Sequence, residues 1–326
     1  MSKTAECVTP MHPDKICDFI ADSILDAYLE GDKDSRCAIE VMGGHNLITI
    51  NGEVTSKAKP DIEKVVRSLI GNSFKIIINI VSQSSEIAQG VDKGGAGDQG
   101  IMIGYACDEN EDMIPLEYYF ARKICNYIYL KHPYDGKVQV TLSWDKGKEY
   151  QDATIVASFQ NVPAKELDEM IKDWVNKNFL KFYRIFQHRS YVNPAGDWSQ
   201  GGFNADTGLS GRKIVMDSYG PEIPVGGGSF SGKDYTKVDR SGAYMARKIA
   251  VDLLKKHKAK EVYTKLAYII GEKNPVMAVS VIDGVESEIV GYDLSPKGIR
   301  EYLKLDEVKF KDICNWGHFG RGFSWE

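Results

Sequence analysis

The sequence lacks any close pairing of cysteines. Its six, Cys7, Cys17, Cys37, Cys107, Cys125 and Cys314, are scattered with no C-x-x-C, which argues against a zinc ribbon or a disulfide framework and reads as reduced, buried thiols. No apolar run reaches membrane-spanning length. The longest, Ile76-Ile77-Ile78-Asn79-Ile80-Val81, has the size of a strand. The opening residues Met1-Ser2-Lys3-Thr4-Ala5-Glu6 lack the apolar core of a signal peptide, and no low-complexity tract is present. Basic residues are not in excess either: 41 Lys and Arg stand against 46 Asp and Glu, a net charge of −5, which speaks against nucleic acid as a partner. The expectation is a cytoplasmic enzyme with neither a membrane nor a nucleic-acid partner. With 326 residues, 43% of them hydrophobic, the chain can fill substantial cores, and its length suggests two or three domains.

One order of elements recurs three times. The pattern predicts a helix over Pro13–Leu29, a hairpin of Cys37–Met42 and Leu47–Val54, and a helix from Pro60 through Ile70. It predicts a helix over Pro115–Lys131, a hairpin of Lys137–Asp145 and Ala153–Gln160, and a helix over Ala164–Phe182. It then predicts a helix over Ser241–Lys256, a hairpin of Val262–Ile270 and Val276–Asp283, and a helix over Ser295–Leu305. Helix, hairpin, helix at a spacing of roughly a hundred residues is an α+β architecture of three pseudo-repeats. Each antiparallel sheet is covered by helices on one face. The domain boundaries expected are 1–92, 93–199 and 200–326.

Glycine-rich segments fall between the repeats. Gly227–Lys233 followed by Asp234 reads G-x-x-x-x-G-K-D, one residue from a P-loop. Glycines admit backbone N–H groups close to phosphate, and the lysine adds a charge. Asp234 cannot supply the hydroxyl that a P-loop places on Mg²⁺, and Pro221 and Pro224 deny the segment the strand that should precede it. Gln89–Gly100 and Asp206–Lys213 are two further glycine-rich loops with acids and bases. Any one of them alone reads as a tight turn; three together point to a shared anionic ligand. His12-Pro13-Asp14-Lys15 opens the first helix, where free N–H groups favour anions. Asp14 also suits a first turn and Lys15 a solvated surface. On the first hairpin, Ile39, Val41, Ile48, Ile50 and Val54 share one side. Glu40, Thr49, Asn51 and Glu53 share the other, either against water or against another sheet; buried, the two carboxylates would need cationic partners.

These segments resemble S-adenosylmethionine synthetases. Glu6–Lys15 is similar to that family's E-S-V-S-E-G-H-P-D-K opening, Gly95–Gly100 matches G-A-G-D-Q-G, and Thr207–Lys213 resembles T/C-G-L-T-G-R-K. Residues 226–241 resemble G-G-G-A-F-S-G-K-D-x-x-K-V-D-R-S, and Gly317–Arg321 resembles G-H-F-G-R. The resemblance runs nearly end to end.

It implies that the methionine sulfur attacks ribose C5′ of ATP, and that tripolyphosphate leaves and is hydrolysed to pyrophosphate and phosphate. Sulfur needs no general base, so catalysis rests on alignment and on stabilising the leaving group. By motif position, His12, Lys233 and Arg212 are the implied catalytic residues. ATP would be held by His12, Lys148, Trp198, Asp206, Arg212, Lys213, Ser229 and Lys233, and methionine by Glu53, Gln89, Asp98, Asp206 and Lys237. Asp14 and Asp239 would hold Mg²⁺, two ions per site, and Glu40 would support K⁺. The implied assembly is a homodimer, with tetramers also open, whose sheets pack face to face around two sites.

The sequence departs from the family pattern at several points: a shortened Val91–Gly95 segment, Lys146 before Gly147-Lys148, Asp197-Trp198 for Arg-Phe, Met11 for glycine and Ser229 for alanine. The alternatives are a P-loop-like kinase or ATPase built on Lys233 and a catalytically impaired nucleotide-binding homologue.

Overall fold

Alternation of apolar and polar residues builds three four-stranded sheets in the computed structural model, which describes residues 1–83, 94–145, 150, 152–179, 185 and 187–326. In chain order the first elements are β1 (Ser2–Val8), α1 (Pro13–Gly31), β2 (Arg36–Gly44), β3 (Leu47–Thr55), α2 (Ile62–Ile70) and β4 (Lys75–Val81). The middle of the chain gives β5 (Gly100–Cys107), α3 (Leu116–Tyr129), β6 (Gly136–Ser143), β7 (Asp152–Phe159), α4 (Ala164–Asn178) and β8 (Gln187–Val192). The remainder gives β9 (Gly208–Leu209), α5 (Ile214–Asp217), α6 (Val238–His257), β10 (Glu261–Tyr268), β11 (Met277–Ile282), β12 (Val285–Glu288) and α7 (Pro296–Tyr302).

The predicted α+β repeats are present, with antiparallel-rich sheets each carrying helices on one face. The sheets also exchange strands along the chain. β1 pairs with β6 in the order β1-β6-β7-β8, β5 pairs with β10 in β12-β11-β10-β5, and β9 adds to β2 in β4-β3-β2-β9. Two edge pairings are parallel, β3 with β4 and β7 with β8, where sequence reading expected antiparallel ones throughout. A parallel partner must return over a crossover, here through the helices α2 and α4. The fourth helix stops at Asn178, short of the expected Phe182, which lies outside the described residues.

The first hairpin shows how sequence sets register. His45 and Asn46 both have positive φ, 49° and 67°, the pair of values that a two-residue turn matched to strand twist needs. The turn aligns Glu40 with Asn51 and Ala38 with Glu53. Ile39, Val41, Ile48 and Ile50 are fully buried, on the same side of the sheet as α1's Ile20, Ile24 and Leu25 in the core. Glu40, Asn51 and Glu53 face the other way and are exposed. Exposed Met42, Ile77, Val81 and Leu209 share that outer face by register, so it is mixed rather than polar. All six cysteines are free and buried. No described helix is long and apolar enough to cross a membrane.

Candidate active site

His12 is the N-cap of α1. Its Nδ1 accepts the Asp14 amide at 3.1 Å, with Pro13 at the first helical position. An Nδ1 that accepts leaves the proton on Nε2. Burial, then the ammonium of Lys213, push the imidazole down to about 4, so at neutral pH His12 is an uncharged donor.

Asp14, 2% exposed, is a hub. One oxygen accepts the Leu209 amide at 2.9 Å, and the other pairs with Lys213 Nζ. The guanidinium of Arg212, 59% exposed, stands 4.0 Å away. Burial alone would raise this carboxyl, but the bonds from Lys213 and Leu209 outweigh it and hold it below the usual range. Lys15, which the sequence left open as a solvated charge, is instead 1% exposed and pairs with Asp18 at 2.9 Å and Asp217 at 2.6 Å. Its role is structural.

The second cluster lies on the glycine-rich loop. Lys233 Nζ pairs with Asp239 at 2.7 Å in the first turn of α6. No strand runs into this loop, and Asp234 is wholly buried, accepting the amides of Cys37 at 2.7 Å and Thr236 at 2.8 Å. That is not the geometry of a P-loop. Ser210 links the two clusters. Its hydroxyl donates to Glu40 and accepts the Val41 amide at 3.0 Å, so β9 docks on the sheet edge beside Lys233's field. Although Glu40 is exposed as a residue, its carboxyl is part-buried against Ser210, and that loss of hydration raises it, while Ser210 and Lys233 lower it in part. A Cβ on Gly211, whose φ is 75°, would come 2.5 Å from Ser229 Cβ. The Arg212–Lys213 loop and the Lys233 loop therefore touch.

The other sequence candidates divide. Asp206 bonds the Thr207 amide at 2.7 Å and lies close enough to His12 to raise its pKa in part. Lys237 pairs with Asp234 at 2.7 Å, turned away from open solvent. Glu53 is exposed on the outer sheet face, and Asp98 is exposed with its carboxylate on the Gln99 amide. Trp198 is half-buried, and its carbonyl accepts from Asn161. Among the described residues no hydrogen bond or ion pair ties Glu53, Asp98 or Trp198 to the His12 or Lys233 clusters. Gln89, Lys146 and Lys148 lie outside the described residues.

Asp197, the acid in place of the family's arginine, has a local use. It accepts the Ala164 amide at 2.9 Å and Asn193 Nδ2 at 2.9 Å, capping α4, whose own N-cap is Pro163 with no side-chain bond.

Sequence reading missed Asp135 and Lys137. The Thr9 amide donates to Gly136 O at 2.9 Å, drawing this strand start against the His12 loop. Asp135 accepts the Gly202 amide at 2.9 Å, and the charge of Lys137 helps to lower the His12 pKa. A lone lysine at the start of a strand carries no signal of its own. A cavity of about 430 Å³ opens beside Arg212 and Lys213, lined also by Thr4, Glu6, Gln139, Met216 and Pro221, within the usual range for a small-molecule site.

Among the described residues no group of three or more acids, histidines or cysteines could hold a metal unaided. Mg²⁺ does not require one, because it takes one or two carboxylates with phosphate oxygens and water. Asp14 and Asp239 fit that demand. Each already holds a cation in the form of a lysine, and Gly228 leaves room at Asp239, where a Cβ would come 2.2 Å from Cγ.

The models of the S-adenosylmethionine synthetase N-terminal, central and C-terminal domains match residues 1–85, 93–198 and 200–326. The S-adenosylmethionine synthase of Mycoplasmopsis pulmonis is 40% identical over 98% of this chain and 93% of its own length. That of Parvibaculum lavamentivorans is 37% identical over 99% and 95%. A solved structure described as an unusual S-adenosylmethionine synthetase from Campylobacter jejuni superposes with a TM-score of 0.87 at 29% identity, covering 99% of this chain and 96% of that one. Matched in all three domains and nearly end to end, the chain belongs to the S-adenosylmethionine synthetase family and is a methionine adenosyltransferase.

Proposed function

We propose that the enzyme forms S-adenosylmethionine by direct attack of the methionine sulfur on ribose C5′ of ATP. The C5′–O5′ bond breaks as the S–C5′ bond forms, the electron pair leaves with tripolyphosphate, and water then splits that product into pyrophosphate and phosphate. The observation that carries this reading is the contact between two loops, one with Arg212 and Lys213 and the other with Lys233, beside a neutral His12. Such a site needs no general base, because a thioether attacks without losing a proton. Its work is to stabilise negative charge as it develops.

In this account the Nε2–H of His12 donates to O5′ as the bond to C5′ breaks. Arg212, Lys213 and Lys233 grip the polyphosphate. Asp14 and Asp239 would hold Mg²⁺, which supplies positive charge to the phosphate oxygens, and Glu40, whose side chain bonds the Ser210 hydroxyl, would favour a nearby K⁺. With substrate bound, Lys213 and Lys233 exchange their aspartate partners for phosphate. Asp206 stands between the two substrates, Trp198 and Ser229 flank the nucleotide with Lys148, and Glu53, Gln89, Asp98 and Lys237 serve methionine. Domains divide at 92 and 199.

The outer sheet face bearing Glu40, Glu53, Met42, Ile77, Val81 and Leu209 packs on a second copy. Glu53 and Asp98 then reach the His12 cluster across that interface, which agrees with their lack of hydrogen bonds or ion pairs to it among the described residues of one chain. The test is a purified-protein incubation with ATP, methionine, Mg²⁺ and K⁺. Methionine-dependent release of pyrophosphate and phosphate, with a sulfonium product of the right mass, is expected. ATP hydrolysis indifferent to methionine would overturn the reading.

A further inference from the structure

One face of α1 carries an aspartate every four residues: Asp14, Asp18, Asp22 and Asp26. On a helix this spacing stacks side chains in a row, and all four are buried, between 0% and 4% exposed. Each accepts main-chain amides from a distant loop. Asp14 takes Leu209 at 2.9 Å, Asp18 takes Gly211 at 2.8 Å, and Asp22 takes Gly232 at 2.8 Å. Asp26 takes Phe310 at 2.9 Å and Lys311 at 3.1 Å.

A row of buried carboxylates is a costly way to pack a helix, since each loses hydration and repels the next. Three have cationic partners: Lys213 for Asp14, Lys15 for Asp18, and Arg240, bidentate at 2.7 and 2.8 Å, for Asp22. Among the described residues Asp26 is bonded to amides alone, and burial pushes it up to about 6. Apolar side chains would pack here at less cost, but hydrophobic contact is non-directional and would not fix which residue of a loop sits where. A carboxylate bonded to one amide does.

Resting on the function proposed above, we propose that Asp18 and Asp22 are positioning residues that set the register of the two polyphosphate loops against each other. Asp18 holds the residue next to Arg212, and Asp22 holds the residue next to Lys233. Arg240 reinforces the second hold by donating to Lys233 O at 3.1 Å. Four residues of helix separate the two anchors, a rise of about 6 Å, so a single rigid element spaces Arg212 and Lys213 from Lys233. Neither carboxylate touches substrate in this scheme. Slippage of one loop by even 1 Å would leave the chain folded and the three cations no longer convergent.

Asp18 is the place to test this, because Lys15 keeps Asp217 when Asp18 is changed. Asp18→Leu removes the acceptor while keeping the branch at Cγ, whereas Asp18→Asn keeps both the volume and an oxygen for the Gly211 amide. Three quantities are read on the full-length enzyme: hydrogen exchange over residues 207–213, affinity for inorganic tripolyphosphate by calorimetry, and kcat with methionine KM. For Asp18→Leu the expected result is faster exchange in 207–213, tripolyphosphate affinity at least about 10-fold weaker, kcat about 100-fold lower and methionine KM within about twofold. Asp18→Asn should recover all three. The proposal is overturned if folded Asp18→Leu keeps native exchange and tripolyphosphate affinity, or if methionine KM rises as much as kcat falls. Should Asp18→Leu not fold, Asp18→Asn decides alone: native exchange in 207–213 supports the proposal and lost protection there ends it. Exchange is read whether or not the wild type makes S-adenosylmethionine, so failure of the reaction assay is seen separately.

Discussion

The amide of Asp14 donates to Nδ1 of His12 at 3.1 Å, and this bond leaves the imidazole's other nitrogen carrying the proton. Helix capping and the choice of tautomer are thus one interaction. The His12 pKa, lowered to about 4 by burial and Lys213, also gives a sign for stability. Between about pH 6.5 and 4 the unfolded chain binds a proton at this position and the folded chain does not, so folded stability is lost as pH falls through that window. Asn is a good N-cap that does not titrate. Denaturant unfolding of wild type and His12→Asn at pH 7 and pH 5 should show the variant gaining relative to wild type at the lower pH. An unchanged difference would mean that His12 is not held neutral.

Lys213 and Lys233 are each paired to an aspartate, which the proposed function has them exchange for phosphate. Lys233→Met and Lys213→Met are expected to lower kcat by roughly a hundredfold, about 3 kcal/mol of leaving-group stabilisation, and to shift methionine KM little. Steady-state kinetics with methionine varied at saturating ATP checks the split. A rise confined to methionine KM would move these lysines out of the polyphosphate site.

Asp197 caps α4 through the Ala164 amide. Asp197→Ala should therefore cost about 1 kcal/mol of stability, the usual worth of an N-cap side chain, and leave kcat intact. Urea unfolding and a turnover assay on the same preparation measure both. A large fall in kcat without loss of stability would assign Asp197 to the nucleotide instead.

Much of this was legible in sequence because the signals were local. The hairpin alternation at 37–54 predicted which side of the sheet is buried, and glycine with charge marked the loops that carry Arg212, Lys213 and Lys233. What escaped depended on distant partners. Ser2–Val8 is a short, largely polar strand that finds its ladder only on residues 137–143. Gly100–Cys107 pairs with a strand more than 150 residues later. Asp18 and Asp22 draw no attention in the sequence, because loops near 211 and 232 must fold back before that side of the helix is buried.

The exposed sheet face predicts assembly. Met42, Ile77, Val81 and Leu209 are between 38% and 51% exposed around Glu40 and Glu53, a mixture suited to a partner. Obligate interfaces commonly bury on the order of 2,000 Å² or more, so a homodimer should persist at submicromolar concentration. Ile77→Glu should dissociate it and abolish turnover together. Sedimentation that shows an active wild-type monomer would remove the shared-site account.

The central claim is that the bond broken in ATP is C5′–O5′. ATP carrying ¹⁸O at the 5′ bridging position tests it directly. Turnover with methionine should deliver the label to the phosphate products, leaving S-adenosylmethionine without it, because the oxygen departs with tripolyphosphate. Label retained on an adenosine-containing product such as ADP would place cleavage between phosphates and contradict the account.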